Sequence, residues 1–556
     1  MQIIIPMSGF GERFRRVGYT LPKPLIEVEG RPIVAHVIDL FPSETDFVFV
    51  CNQEHLDNPD YRMAEVLRRY CPSGKVVGIA PHKLGPVYAV QQVFELIDTE
   101  SPVVVNYCDF SCYWNWQHFK HFVAQTACAG AVPAYRHFHP HTLGTTNYAY
   151  LREADGWMLD IQEKQPYTAN RMEEYASSGT YYFATGQIML DAFRRTVAQN
   201  LHVGGEYYVS LAYKPLLADK LPIAVYPLQH FMQWGTPEDL AEYNMWSAIF
   251  KRLITDDGAT LMPRGSLILP MAGLGKRFAD AGFTTTKPLI PVSGRPMVLQ
   301  AVRDLPPAKD MVFVLRRDMP EHDNIVMEIR HTLPNAITES LPQVTEGQAC
   351  TTLIGLDKLK DERGAVSEPV TVGACDNGIL YDSARFSQLL DNSNADVLVW
   401  GVHGHTNAIR HPAMFGWIQA EEDNWIASIS VKTPLSNPSR DPIVIGAFTF
   451  RRADDLRRAI MRLIARDGRI RGEFYLDSCI NDAIALGLRC ALFEVDGFLS
   501  WGTPDDFRTF EYWQSCFHKW AGHPYRLERD RRVPSSAIPT LEARYQQMSP
   551  DFPCER

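Results

Sequence analysis

Two segments of this chain combine glycines with an arginine and a lysine at the same spacing. The first reads Pro-Met-Ser-Gly-Phe-Gly-Glu-Arg-Phe from Pro6, and the second reads Pro-Met-Ala-Gly-Leu-Gly-Lys-Arg-Phe from Pro270. Each follows a short aliphatic run and precedes Lys-Pro-Leu-Ile. Glycines after a strand let the backbone approach an anion closely, and successive amide N–H groups cradle phosphate oxygens. The segments therefore predict two phosphate-binding loops to which the arginine and lysine add positive charge.

Both loops belong to a long internal repeat. Five residues recur at an offset of 264 positions, and they are Gly9, Gly11, Arg13, Lys23 and Gly30, paired with Gly273, Gly275, Arg277, Lys287 and Gly294. Four later residues recur at an offset of 267, and they are Asp109, Gly179, Glu206 and Tyr208, paired with Asp376, Gly446, Glu473 and Tyr475. Solenoid repeats run about 20 to 50 residues, so this period predicts two complete domains in tandem.

The loop matches neither of two common phosphate motifs. The dinucleotide-binding fingerprint has a third glycine where Phe14 stands, and the P-loop requires Gly-Lys-Ser/Thr, which is absent. A glycine turn that merely joins a strand to a helix is the structural alternative. The repetition of the loop with its trailing Lys-Pro favours phosphate binding.

Composition narrows the class of protein. The 556 residues carry a net charge of −10, which argues against nonspecific nucleic-acid binding because that affinity comes from excess Lys and Arg. Eleven scattered cysteines without a C-x-x-C pair favour reduced thiols in a cytoplasmic protein. No apolar run approaches the roughly 18 residues of a membrane span, and the first residues do not resemble a signal peptide.

Strands alternate with helices in each half. In the first half we expect strands at 3–6, 47–51, 76–79 and 103–107, with helices at 33–41, 62–70 and 88–97. In the second half we expect strands at 267–270, 311–315 and 370–373. This alternation predicts an α/β fold with a mostly parallel sheet and helices on both faces, in which ligands bind at the carboxyl ends of the strands. The first glycine loop and Asp109 both follow such strand ends, so we expect them to share one site.

The expected domains cover residues 1–250 and 266–516, joined within 250–265, where Asp-Asp-Gly and Pro-Arg-Gly interrupt the pattern. Residues 517–556 have no counterpart in the first half. We expect this Arg- and Pro-rich tail to form an extended arm.

The run G-x-G-x-R-F, followed by Lys-Pro-Leu-Ile and Gly-Arg-Pro, resembles the signature of the sugar-phosphate nucleotidyltransferases, or nucleotide-sugar pyrophosphorylases, including capsule and lipopolysaccharide enzymes. The resemblance covers nearly all of both halves. It implies two tandem Rossmann-like nucleotidyltransferase domains that join a nucleoside triphosphate to a sugar 1-phosphate and release pyrophosphate with the help of Mg²⁺. Members that use phosphocholine or related phosphorylated alcohols share the same opening motif, so the acceptor class stays open.

The resemblance also implies roles for individual residues. It assigns the triphosphate to Gly9, Gly11, Arg13 and Lys23 in the first half, and to Gly273, Gly275, Arg277 and Lys287 in the second. Gly85 and Gly347 correspond to the region near the nucleobase, and Asp109 and Asp376 to the metal-binding aspartate. The acceptor phosphate corresponds to Lys164 and Lys432, and the rest of the acceptor to Glu163, Gly179, Glu206, Gly446 and Glu473.

Two departures from the family pattern affect these assignments. The family often has a second metal-binding aspartate where this chain has Gln233 and Ser500. Mg²⁺ commonly uses few protein carboxylates together with substrate phosphates, so Asp109 or Asp376 remains a suitable ligand. In the second half, Val431 replaces Glu163 before the acceptor lysine, which predicts a different substrate or a loss of activity there.

Other possibilities stay open. A nucleotide-sugar-dependent glycosyltransferase would use a similar sheet, but such enzymes usually have D-x-D at the metal, which is absent around Asp109 and Asp376. One catalytic half with one regulatory half is a further alternative. The His-x-His pairs, which are His137 with His139 and His403 with His405, suit acceptor contacts or ordinary loops better than a zinc site, because no cysteine or carboxylate completes an evident tetrahedral set. The sequence leaves open which nucleobase and which acceptor are used, and whether the protein forms a homo-oligomer.

Overall fold

The computed structural model describes residues 1–145, 147–255, 261–273 and 275–552. The chain divides into two compact units. The first contains residues Met1–Asn244, Ser515–Pro524 and the described residues from Glu542 onward, and the second contains the described residues of Met245–Gln514 together with Tyr525–Leu541. The expected joint at 250–265 is only partly described, because residues 256–260 lie outside the described part of the chain.

The first half of the chain holds fourteen described strands and nine described α-helices. The strands are β1 (Gln2–Met7), β2 (Glu27–Val28), β3 (Arg31–Pro32), β4 (Phe47–Asn52), β5 (Lys75–Ile79), β6 (Val103–Asn106), β7 (Phe110–Tyr113), β8 (Gly130–Tyr135), β9 (Ala149–Ala154), β10 (Trp157–Glu163), β11 (Tyr175–Ser177), β12 (Thr180–Phe183), β13 (Ile223–Pro227) and β14 (His230–Gln233). The helices are α1 (Glu12–Arg16), α2 (Ile33–Ile38), α3 (Gln53–Asp57), α4 (Met63–Tyr70), α5 (Pro86–Gln91), α6 (Trp116–Thr126), α7 (Gly186–Ala198), α8 (Tyr213–Ala218) and α9 (Pro237–Thr255).

The rest of the chain holds thirteen described strands and ten described α-helices. The strands are β15 (Ser266–Pro270), β16 (Pro291–Val292), β17 (Arg295–Pro296), β18 (Asp310–Arg316), β19 (Ile337–Leu341), β20 (Val370–Val372), β21 (Asn377–Leu380), β22 (Val397–Val402), β23 (Gly416–Ala420), β24 (Ile426–Val431), β25 (Ile443–Phe450), β26 (Cys490–Glu494) and β27 (Gly497–Ser500). The helices are α10 (Lys276–Asp280), α11 (Met297–Arg303), α12 (His322–Thr332), α13 (Gln348–Lys358), α14 (Ser383–Asn392), α15 (Thr406–Arg410), α16 (Ala453–Ala465), α17 (Leu476–Ala485), α18 (Pro504–Lys519) and α19 (Ile538–Gln547).

Each unit is built on one large sheet with the same central strand order. The order is β5-β4-β1-β6-β12-β8-β13 in the first unit and β19-β18-β15-β20-β25-β22-β26 in the second. In both, the strand before the glycine loop lies between two parallel neighbours, and β1 pairs with β4 and β6 while β15 pairs with β18 and β20. These strands are almost wholly apolar because they are covered on both faces.

The expectation of a mostly parallel sheet is wrong, because both sheets are mixed. Strand β12 runs antiparallel to β6, and β9 runs antiparallel to β10. A two-residue turn at Asp155 and Gly156, both with positive φ, joins β9 to β10, and a connection this short can only produce an antiparallel pair. In each unit, antiparallel strands follow the segment in which strands and helices alternate regularly.

The end of the chain also differs from its expected structure. Residues beyond 517 include the end of α18, α19 and two 3₁₀ turns at Leu527–Arg529 and Ser535–Ala537. Tyr525, Leu527 and Tyr545 are fully buried, so this part is folded and the expectation of an extended arm is corrected. The helical spacing of Ile538, Leu541 and Tyr545 was a signal in the sequence for α19. No helix in the described residues is both long enough and apolar enough to cross a membrane.

Candidate active site

The first glycine loop begins where β1 ends and leads directly into α1. Gly11 precedes the helix with φ of 65°, a left-handed conformation that favours glycine. A Cβ added at Gly9 would meet no atom within 4 Å, so open space lies against the loop at that position. Arg13 follows on α1, and Lys23 starts a 3₁₀ turn at Lys23–Leu25. The loop thus presents backbone and cationic side chains to an open space.

Lys23 and Asp109 form an ion pair in this space. Lys23 Nζ donates a hydrogen bond of 2.7 Å to Asp109 Oδ2, and each side chain is about a quarter exposed. Burial tends to lower the pKa of Lys23, but the attraction of the Asp109 carboxylate and its hydrogen bond outweigh it, so the pKa is raised and Lys23 stays cationic. Asp109 follows β6, as expected for a strand-end carboxylate.

A second cation, Lys164, follows the end of β10 with φ of 60°. Its Nζ lies 4.4 Å from the ring centroid of Tyr208 and donates to the Tyr208 hydroxyl, which in turn donates to Glu206 Oε2. A positive φ at a lysine costs about 1–3 kcal/mol and persists only where the surroundings impose it. Tyr208 therefore links the expected acceptor lysine to the expected acceptor glutamate.

Glu163 is buried beside Lys164. Its Oε2 accepts a hydrogen bond of 2.6 Å from Ser210 Oγ. Burial raises the pKa of Glu163 to about 7, although the Ser210 hydrogen bond and the Lys164 charge oppose the shift. Near neutral pH this carboxyl group can therefore either donate or accept a hydrogen bond.

Two glycines allow close backbone contacts around the site. Gly85 has φ of 88°, and a Cβ there would lie 2.7 Å from Tyr207 N. Gly179 has φ of 95°, and a Cβ there would lie 3.0 Å from the Tyr107 ring. A side chain at either position would be strained and would displace its neighbours.

Apart from Ser210 and Tyr207, the residues described above line one cavity of about 550 Å³ in the first unit. Every site residue expected from the first half of the sequence is among its walls, and these are Gly9, Gly11, Arg13, Lys23, Gly85, Asp109, Glu163, Lys164, Gly179 and Glu206. The volume is within the range typical of small-molecule sites, about 300–1,000 Å³. Residues separated by nearly two hundred positions in the sequence thus meet at a single site.

The sequence interpretation missed several wall residues. Tyr208 recurs as Tyr475 in the repeat, which was the available signal for it, but no role followed from the recurrence. Tyr107, Tyr148 and Gln233 also line the cavity. No sequence pattern singled out Tyr107 or Tyr148, whereas Gln233 was noted only as standing where the family often has a second aspartate.

The second unit repeats much of this geometry. Gly275 has φ of 63°, Gly347 of 140° and Gly446 of 76°, and Lys287 Nζ lies 2.5 Å from Asp376 Oδ2. Leu274, inside the second loop motif, lies outside the described residues. A Cβ added at Gly273 would meet no atom within 4 Å, as at Gly9.

The residues expected to bind the acceptor in the second unit have an arrangement similar to that in the first. Lys432 has φ of 61° and lies 5.6 Å from the Tyr475 ring centroid. Its Nζ donates to the carbonyl oxygen of Met414. Glu473 pairs in an isolated bridge with Ile470, as Glu206 does with Val203. Arg277 lies on α10, at the position that Arg13 holds on α1.

The side chains available for a metal at the first site are few. Asp109 is the carboxylate at the strand end, and a Cβ added at Gly235 would lie 2.8 Å from Asp109 Oδ2 and 3.0 Å from Gln233 Nε2. Among the described residues, no group of three or more His, Cys, Asp or Glu side chains could hold a metal ion. One carboxylate fits an ion that is shared with triphosphate oxygens and water, which is how Mg²⁺ is commonly bound.

The His-x-His residues lie in different surroundings. His137 Nε2 lies 3.2 Å from Asp551 Oδ2, and burial lowers the pKa of His139 to about 3. His403 Nδ1 lies 2.7 Å from Glu494 Oε1, and burial lowers the pKa of His405 to about 4. None of the four lines the cavity.

Comparisons with known proteins find sequence similarity to nucleotidyltransferases, and the family model matches the first part of the chain. The profile of the MobA-like NTP transferase domain matches residues 3–170. The chain is 34% identical over 112 residues to the bifunctional protein GlmU of Paraburkholderia xenovorans, covering 20% of this chain and 22% of that protein. It is 28% identical over 140 residues to the mannose-1-phosphate guanyltransferase of Emericella nidulans, covering 24% of this chain and 36% of that protein. The chain thus spans 22–36% of the length of these relatives.

Solved structures show more distant similarity. A nucleoside-diphosphate-sugar pyrophosphorylase from Vibrio cholerae is 21% identical, with a TM-score of 0.37, covering 44% of this chain and 98% of that one. The inositol-1-phosphate CTP transferase from T. maritima is 14% identical, with a TM-score of 0.35, covering 46% of this chain and 98% of that one. The glycine loop and the parallel strands around it lie within residues 3–170, the segment that matches the MobA-like NTP transferase domain.

Proposed function

We propose that this protein is a nucleotidyltransferase that couples a nucleoside triphosphate to a sugar 1-phosphate, or to a similar phosphorylated acceptor, and releases pyrophosphate. The observation that carries the proposal is the convergence on one cavity of three cationic side chains from distant parts of the chain, Arg13, Lys23 and Lys164. Arg13 and Lys23 lie on the side of the glycine loop, and Lys164 lies on the side of Tyr208 and Glu206. Two anions can therefore be bound next to each other, although they would repel one another in water.

The triphosphate binds on the loop side. Backbone amides of the glycine loop and the side chains of Arg13 and Lys23 hold its oxygens, and the open space at Gly9 admits them. Gly85 brings the backbone close to the base, in line with the family resemblance. Because Lys23 retains its proton over the physiological range, its charge is always available to the phosphates.

The acceptor binds on the other side. Lys164 holds the acceptor phosphate, Tyr208 orients the Lys164 ammonium, and Glu163 and Glu206 contact the remainder of the acceptor. Gly179 lets the backbone of the wall pack closely against the Tyr107 ring. The carboxyl group of Glu163 suits acceptor hydroxyls because it exchanges between donor and acceptor near pH 7.

The transfer needs no nucleophile from the protein. An oxygen of the acceptor phosphate attacks the α-phosphorus and forms a new P–O bond, while the bond from the α-phosphorus to the bridging oxygen breaks and its electron pair leaves with pyrophosphate. Positioning and charge neutralisation supply most of the rate in such reactions. Asp109 would hold Mg²⁺, which neutralises triphosphate charge when bound.

The wider setting of the activity is also part of the proposal. We assign two tandem nucleotidyltransferase domains to the chain, supported by the common strand order of its two units. Synthesis of surface polysaccharide precursors follows from the family resemblance. The ten described cysteines are free thiols, which supports a reducing, cytoplasmic setting.

Pyrophosphate release tests the proposal directly. The full chain with Mg²⁺ is assayed with the four ribonucleoside triphosphates and dTTP, each against sugar 1-phosphates and phosphorylated alcohols including phosphocholine. We expect release with at least one pair, and a fall of at least 100-fold in the first site after Lys164→Ala. Absence of release with every pair would contradict the proposal.

A further inference from the structure

The two units carry different residues at three corresponding positions around the lysine expected to bind the acceptor phosphate. Strand pairing sets Glu163 opposite Ala149 in the first unit, and it sets Val431 opposite Gly416 in the second. The lysine that follows is held identically, because Lys164 N donates to the Tyr148 carbonyl and Lys432 N donates to the Phe415 carbonyl. These positions therefore correspond in space as well as in sequence.

The third position that differs is Ser210 in the first unit and Asp477 in the second. In the first unit, Ser210 donates its hydroxyl hydrogen to the Glu163 carboxylate. The repeat offset that pairs Glu206 with Glu473 pairs Ser210 with Asp477. The isolated bridges Val203–Glu206 and Ile470–Glu473 keep the same register just before it. The second unit thus has a carboxylate where the first has a serine, and an apolar residue where the first has a carboxylate.

Gly416 makes this exchange possible. A Cβ at position 416 would overlap the Asp477 Oδ2 atom, so a methyl group such as that of Ala149 could not lie beside the Asp477 carboxylate as it is placed. Val431 is 8% exposed and packs in the apolar core of the second unit. The three residues Gly416, Val431 and Asp477 are mutually compatible, as are Ala149, Glu163 and Ser210. The first unit thus has its carboxylate on β10, and the second unit has one at the start of α17 instead.

Helix capping alone does not account for Asp477. An acid in the first turn of a helix is ordinarily stabilised in its charged form by the helix dipole, which lowers its pKa. Burial instead raises the pKa of Asp477 to about 6, although Lys432 opposes the shift. The carboxylate is thus held in a partly desolvated place next to the acceptor lysine.

Several charges surround this lysine. Burial lowers the pKa of Lys432, the cations Arg277 and Arg471 lower it further, and the carboxylates Asp477 and Glu473 oppose this effect. Arg471 stands where the first unit has Gly204. Three cations and two carboxylates therefore interact around the acceptor position. The cations can bind a phosphate group, and the carboxylates can accept hydrogen bonds from donors elsewhere on the same molecule.

We propose that the second unit contains its own site for a phosphorylated small-molecule acceptor, in which Asp477 makes the acceptor contact that Glu163 makes in the first. The inference rests on the proposed function. Because the carboxylate approaches from the helix instead of the strand, and Arg471 adds a cation, the two sites prefer different acceptors. Val431 then marks a change of specificity and not a loss of the site.

The test uses the full chain with Lys164→Ala, so that release from the second site is measured alone against the same panel. We expect this variant to retain pyrophosphate release with an acceptor order different from that of a Lys432→Ala chain, which reports the first site. Adding Asp477→Asn, which preserves shape, should raise the KM for the acceptor at least 10-fold and change the KM for the nucleotide less than 2-fold. The triple variant G416A/V431E/D477S should shift the acceptor order towards that of the first site.

Calorimetric titration of the Lys164→Ala chain with each panel acceptor separates the possible failures. Release by the wild-type chain, with neither release nor binding by the Lys164→Ala chain, would overturn this inference and leave the proposed function intact. Release by no chain, with no acceptor bound, would overturn both. An unchanged acceptor KM and affinity after Asp477→Asn, in a protein that melts like its parent, would overturn the role of Asp477.

Discussion

Lys23 donates a 2.7 Å hydrogen bond to Asp109, although the two residues are 86 positions apart in the chain. The same pair recurs in the second unit, where Lys287 lies 2.5 Å from Asp376. A cation suited to phosphate and a carboxylate suited to a metal thus neutralise each other. Under the proposed function, a triphosphate with Mg²⁺ would supply a partner for each of them. Of the charged side chains in the cavity wall, Lys23 and Asp109 thus neutralise each other, whereas Arg13 and Lys164 also line the cavity.

Replacement of Lys23 by methionine removes the charge and keeps most of the apolar stem. We expect kcat/KM of the first site to fall at least 100-fold, because one electrostatic contact to the transition state is typically worth that much. Stability should change by about 1 kcal/mol or less, since the pair is partly exposed and solvent screens it. Pyrophosphate release and thermal melting measure the two effects.

The matched control is Lys75→Met, which breaks an exposed pair with Asp46 at 3.8 Å, outside the cavity. It should leave turnover unchanged. Equal losses in the two variants, or normal turnover after Lys23→Met, would show that Lys23 does not bind the triphosphate.

Lys164 donates a hydrogen bond to the Tyr208 hydroxyl, so Tyr208→Phe tests the proposed positioning of this lysine while it keeps the aromatic ring. We expect the KM for the acceptor to rise roughly 10-fold, because one charge-assisted hydrogen bond is worth about 1.5 kcal/mol, while the KM for the nucleotide stays constant. Steady-state kinetics with each substrate varied in turn measures this split. A fall in kcat with no change in acceptor KM would contradict the positioning role.

The sequence alone allowed us to expect a common location for those site residues whose type recurs in the repeat. Gly9, Arg13, Lys23 and Asp109 could be placed together because glycine loops and aspartates at strand ends meet at one edge of a sheet. The left-handed φ of Lys164 and Lys432 was not visible, since lysine carries no signal for that conformation.

The exchange between Ser210 and Asp477 could not be predicted from the sequence. The two residues share neither shape nor charge, and Val431 in isolation indicated only a missing contact. Strand pairing and the space left by Gly416 are needed to see that the carboxylate has moved. The antiparallel strands were missed for a related reason, because pairing partners depend on short turns such as Asp155-Gly156 and not on apolar periodicity.

Glu163 should make stability depend on pH. Burial raises its pKa from the ordinary value of 4.5 to about 7 in the folded protein, so folding favours the protonated form. The resulting contribution to stability is complete below pH 4.5 and is lost as the pH rises through 7. Glu163→Gln cannot titrate, so its stability relative to wild type should increase over this window, by roughly 2–3 kcal/mol at most. Calorimetric melting from pH 4.5 to 8 measures the difference.

Ser210→Ala provides a control for this effect. The Ser210 hydroxyl lowers the pKa of Glu163, so its removal should extend the pH-dependent loss of stability to higher pH. A constant difference between Glu163→Gln and wild type across the whole range would contradict the raised pKa.

Gly9 and Gly85 should respond differently to the same substitution. An added Cβ at Gly9 meets no atom within 4 Å, and the φ there is not in the left-handed region, so Gly9→Ala should fold and melt like wild type. The methyl group would nevertheless occupy the space that phosphate oxygens need, and we expect nucleotide KM to rise at least 10-fold. Gly85→Ala meets Tyr207 N at 2.7 Å with φ of 88°, so it should destabilise the first unit as well as weaken nucleotide binding. Melting curves and nucleotide titrations of both variants measure the two effects. Gly9→Ala should change only nucleotide binding, whereas Gly85→Ala should also lower the melting temperature. Unchanged nucleotide KM in Gly9→Ala would show that the triphosphate does not lie against this loop.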